Sequence, residues 1–155
     1  MMLVAFRIND TRVFSRVVRF FRGGDSGHVE AALPDALYRH LHLCVSASFM
    51  DGGVRGKAID ITNPYKWRVY QVREHDDPLV WLAKNNDTFG LLVSTLPTLS
   101  DDPEKKVCSE AIAELLPWLP DPPRTYDLVK LENAVKQRGE QVQWTGYAWV
   151  TRTGS

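Results

Sequence analysis

The chain has only two cysteines, Cys44 and Cys108, in 155 residues. Neither sits in a C-x-x-C pair or at metal spacing from a histidine, so a zinc module is excluded and no metal or cofactor is expected. A disulfide between the two is conceivable, but free thiols are preferred. Net charge is also lacking: 19 Lys and Arg balance 19 Asp and Glu. That removes the basic excess by which nucleic-acid-binding domains are recognised. No apolar run approaches the length of a membrane span, and the opening MMLVAFRINDTR is too short a run for the core of a signal peptide. A cytoplasmic setting is expected, with a phage-associated one as the alternative. There is no internal repeat or low-complexity tract, and LPDPPR at 119–124 reads as a loop. The whole chain, 1–155, is expected to form one domain with a core that needs no covalent staples.

A histidine ahead of residue 28 is missing as well, and this decides how GDSGH, Gly24 to His28, is read. The stretch looks like the GDSGG signature around the nucleophilic serine of chymotrypsin-like proteases. In that family the histidine and aspartate precede the serine on a first barrel. Only 25 residues precede Ser26 here and the chain is too short for two barrels. Ser26 is therefore read as a loop residue leading into a strand.

Periodicity supplies the elements. Residues 2–8 read as a strand. From Thr11, Val13, Phe14, Val17, Val18 and Phe21 recur at helical spacing, with Arg12, Arg16 and Arg19 opposite and Gly23-Gly24 ending the run. That basic stripe offers at most a weak contact with an anionic surface. HVEAAL (28–33), HLCVSASF (42–49), VRGKAIDI and KWRVYQV follow as strands of an antiparallel sheet. Helices are expected at 77–85, through CSEAIAELLPWL with Pro117 at its end, and over YDLVKLENAVKQ with Gly139 as C-cap. A final strand is expected in QVQWTGYAWV. Strands gathered in one sheet with helices segregated around them make the expected class α+β.

Successive strand side chains point to opposite faces. Val29, Ala31 and Leu33 then face the core with Leu43, Val45, Ala47 and Phe49. The opposite face receives His28, Glu30, His42, Cys44, Ser46 and Ser48, a titratable cluster. His40, His42 and His75 read as loop and surface residues, Cys44 as packing, and the five tryptophans mainly as core. Cys108 opens the apolar run of CSEAIAELL after the charged turn DDPEKK. In a first helical turn, free N–H groups, the helix dipole and Lys105 and Lys106 would favour a thiolate. A helix started earlier, with Asp102 as N-cap and Pro103 at the first position, would instead bury Cys108 a turn deeper.

SGHVEAAL, then VSASFMDGGVR, then VCSEAIAELL resemble, in motif and order, the circularly permuted branch of papain-like cysteine hydrolases, relatives of NlpC-type cell-wall peptidases and of the lecithin retinol acyltransferase group. In that branch the histidine strand precedes the cysteine helix, as His28 precedes Cys108. The resemblance implies a papain-like α+β domain with a central antiparallel sheet or partial barrel and helices packed around it. It implies Cys108 as nucleophile, His28 as general base and then acid, and a polar residue on the following strand to orient the imidazole. Ser46 stands where histidine, asparagine or glutamine is usual in the family; Glu30, on the same face as His28, is the second candidate. The implied reaction is acyl transfer through an acyl-enzyme, with the backbone N–H of Cys108 as one oxyanion donor and a peptide or peptidoglycan amide as substrate. Lipid ester or thioester transfer is the rival activity. A catalytically inactive domain in an assembly such as a phage virion is the non-enzymatic alternative.

Overall fold

The structure, a computed structural model, describes residues 1–8, 26–48, 53–85 and 108–152. The arginine stripe at 12–19, the Gly23-Gly24 stop and the turn ahead of Cys108 lie outside the described residues, as does the choice between the two helix starts.

Seven strands form one sheet: β1 (Met2–Ile8), β2 (Ser26–Tyr38), β3 (Leu41–Ser48), β4 (Gly53–Asp60), β5 (Trp67–Val72), β6 (Glu140–Trp144) and β7 (Trp149–Thr151). Their spatial order is β4-β3-β2-β1-β5-β6-β7, and every pairing is antiparallel. β1 is the middle strand, and its unbroken apolar run fits a strand covered on both sides. Met2, Val4 and Phe6 enter one core with Val29, Ala31, Val45, Ala47, Tyr70 and Val72. Leu3 and Ala5 enter another with Ala32, Cys44, Ile61, Trp67, Val69 and Val142.

The described helices are short: α1 (Pro78–Asn85), α2 (Cys108–Glu114) and α3 (Leu128–Arg138), with a 3₁₀ turn at Pro123–Thr125. All three α-helices add their apolar residues to the first core, through Trp81 and Leu82, Ala111 to Ala113, and Leu128, Leu131 and Val135. The second core is built from strand and inter-strand residues alone. This overturns the expected papain-like α+β fold with helices around the sheet. The described protein is mostly antiparallel sheet, with helices on one side only. The physical reason lies in the second face, which closes on itself. His42 of β3 has its ring centroid 5.3 Å from those of both Trp144 on β6 and Trp149 on β7. Three strands separate β3 from β6 in the sheet order. The sheet must therefore curl until its two sides meet, and strand residues cover that face without helices.

Local chemistry explains several boundaries. β2 runs past the expected 28–33 to Tyr38, and its register with β3 slips between Ala32 and Ala36, around Pro34, which has no N–H for the ladder. α2 ends at Glu114, short of the expected end at Pro117. Pro117 disfavours helical geometry in the residue before it, and the chain leaves through tighter i to i+3 bonds such as Leu116 N–H to the Ala113 carbonyl. α3 begins where Asp127 accepts from the Lys130 N–H. The expected single last strand is a hairpin, turning at Gly146 with φ 105°.

One buried group anchors the start of β2. Glu132 of α3 accepts from the Ser26 hydroxyl at 2.7 Å and from the Arg68 guanidinium on β5. Ser26 is therefore a buried strand residue rather than a loop residue, and its tie to α3 fixes the strand two residues before His28.

Candidate active site

His28 and Glu30 are two apart on β2 and share a face. His28 Nε2 lies 2.7 Å from Glu30 Oε1. The Glu30 side chain is 1% exposed and that of His28 18%. A carboxylate so deeply buried needs a second partner. Arg55 of β4 supplies it, donating from Nη2 to Oε1 at 2.7 Å and from Nη1 to Oε2 at 3.3 Å. The β3–β4 register, which pairs Ser46 with Arg55, brings the guanidinium there.

The helix carrying Cys108 packs against β2 and β3. The β2–β3 ladder stops at Ala31↔Val45, so the sheet opens toward the Ser26 end of β2. Here the Cys108 thiol lies near enough to the imidazole to act on it and, with Glu30, to favour its protonated form. With Nε2 held by Glu30, Nδ1 is the ring nitrogen left for a second partner. Burial by itself would lower the basicity of His28. Its bonds to Cys108 and Glu30, together with their charges, outweigh burial and raise it from 6.5 to about 9. The imidazolium therefore persists through neutral pH.

Ser46 has a different position from the one its place in the motif implies. Its hydroxyl donates to the Val29 carbonyl at 2.7 Å. Val29 lies just beyond the last ladder pair, so Ser46 satisfies a backbone acceptor where the strands part. The residue at the imidazole is Glu30. Arg55 was not singled out in the sequence. The signal that could have found it is the alternation of VRGKAIDI, which puts Arg55, Lys57 and Ile59 on one face beside the polar face of β3.

The remaining sequence candidates separate cleanly. Cys44 is fully buried in the second core, and burial pushes its thiol up. Both cysteines are free thiols. His42, expected at the surface, is fully buried between Trp144 and Trp149. Its Nδ1 bonds the Leu33 carbonyl at 3.1 Å, and burial holds its basicity below the usual value. His40 stays exposed, 3.7 Å from Asp60. Among the described residues no group of three His, Cys, Asp or Glu could hold a metal ion, and no helix is long and apolar enough to cross a membrane. Comparison of the chain with family models, curated proteins and solved structures finds no match.

Proposed function

We propose that the protein is a cysteine-dependent hydrolase that works through an acyl-enzyme on Cys108 and cleaves an amide bond in a peptide or peptidoglycan fragment. One observation carries this reading: an imidazole 2.7 Å from a buried carboxylate on its own strand also feels a thiol from a helix eighty residues along the chain, and both partners favour its protonated form. Nucleophile, base and orienter in that order are the arrangement covalent acyl transfer requires.

The retained imidazolium decides the order of roles. Cys108 attacks as a thiolate paired with His28, and its sulfur bonds to the carbonyl carbon. As the C–N bond breaks, its electron pair leaves with the proton from His28, so the histidine acts first as acid. It is then neutral and takes a proton from water, whose oxygen adds to the thioester carbon. The sulfur departs as thiolate and the ion pair is restored. Glu30 keeps the ring in one orientation through both halves. The choice of an amide follows from the resemblance of the motifs to NlpC-type hydrolases.

Brief exposure to p-nitrophenyl acetate, which acylates reactive thiols, tests the mechanism. Peptide mass spectrometry should find acetyl on Cys108, none on Cys44, and much slower modification in His28→Ala. Acetylation scattered over surface lysines with Cys108 untouched would mark the site as inert and the protein as a non-catalytic domain. Parallel assays on peptide amides and on lipid esters separate the substrate classes, with amide turnover expected.

A further inference from the structure

Arg55 lies outside the thiol–imidazole–carboxylate series and still governs it. Oxygen Oε1 of Glu30 receives two donors at once, Nε2 of His28 and Nη2 of Arg55, each at 2.7 Å. The two cationic groups therefore lie within about twice that distance of each other. Glu30 is too deeply buried for water to screen its charge. Whatever share of that charge Arg55 does not take acts on His28.

We infer that Arg55 is a positioning residue that limits how tightly His28 holds its proton, so that the imidazole can serve as a base in the deacylation half of the reaction. The inference rests on the hydrolase reading. A guanidinium is always charged and binds a carboxylate with two parallel donors. It fixes the plane of Glu30, and so the direction in which Oε1 faces the ring. It also competes with the imidazolium for the same oxygen. The first effect supports both halves of the reaction. The second matters only for the base half, because acylation uses the protonated ring and deacylation the neutral one. Among the described residues, the other groups placed to act on His28 are the Cys108 thiol from α2, Glu30 on its own strand and Arg7, its register partner on β1. Arg7 extends over the Trp67 ring, 5.6 Å from its centroid. Arg55 is the cation bonded to the carboxylate that holds His28.

The test uses the full chain with Arg55→Gln, which keeps a donor without the charge, and Arg55→Lys, which keeps the charge. Two readouts are taken: the midpoint of the His28 NMR titration, and the burst and steady-state phases with p-nitrophenyl acetate. In Arg55→Gln the midpoint should rise by about one pH unit. Its burst should stay within about threefold of the native rate while steady-state turnover at neutral pH falls about tenfold. Arg55→Lys should restore both toward native values. An unmoved midpoint, or burst and turnover falling in equal proportion, would overturn the proposal by reducing Arg55 to a structural partner. Unfolding of Arg55→Gln beside a folded Arg55→Lys would do the same. A shifted midpoint in a protein whose native form shows no burst would remove the hydrolase reading, and the deacylation role with it, while leaving the electrostatic link.

Discussion

Replacing His28 with glutamine should change how stability depends on pH. In the folded protein burial disfavours the imidazolium, but the hydrogen bonds and charges of Cys108 and Glu30 prevail, raising His28 from 6.5 to about 9. The folded state thus binds this proton more tightly than the unfolded chain does. The stabilisation is fully present below pH 6.5 and is lost as pH rises through about 9. At about 1.4 kcal/mol per pH unit, the rise amounts to at most ~3.5 kcal/mol. With the side chain 18% exposed, solvent screening takes away only part of it. Urea unfolding of the native protein and of His28→Gln, compared at intervals from pH 6 to pH 10, gives the assay. The stability difference between them should shrink by up to ~3.5 kcal/mol across that range, most steeply between about pH 7 and pH 8.5. In a Cys108→Ala background the change should be smaller, because one of the two groups that favour the imidazolium is gone. A difference that stays constant from pH 6 to pH 10 would refute the claim that His28 is held protonated by its partners.

Two further outcomes test the surroundings of the site. Ser46→Ala should cost about 1–3 kcal/mol in urea unfolding by leaving the Val29 carbonyl unsatisfied, while Cys108 alkylation changes little; a loss of alkylation without loss of stability would return Ser46 to the imidazole. His42 shows the opposite linkage to His28. Its basicity is lowered by burial, so stability should fall as pH drops below 6.5 through its lower folded value, and His42→Phe should flatten that decline in an acid titration followed by the emission of Trp144 and Trp149.

Patterns within one element could be read from the chain. β1 showed as an apolar run, α3 through its pattern and the glycine at its end, and the shared face of His28 and Glu30 through strand alternation. Contacts set by register or curvature could not. Arg55 reaches Glu30 because β3 and β4 pair in one particular register, which alternation within a single strand does not specify. His42 read as a surface residue because the tryptophans that bury it lie about a hundred residues later and meet it only when the sheet curls. The same curl gives the second face its own apolar core, where alternation predicted a titratable cluster. Ser46 stood at the orienter's place in a motif, but its bond is determined by where two strands part.

The central claim is that Cys108 is an activated thiol and Cys44 an inert one. Iodoacetamide at neutral pH, followed site by site by mass spectrometry, measures this directly. Cys108 should be labelled at least about a hundred times faster than Cys44, and about tenfold more slowly in His28→Ala. Equal, slow labelling of both cysteines, unchanged by loss of His28, would contradict it.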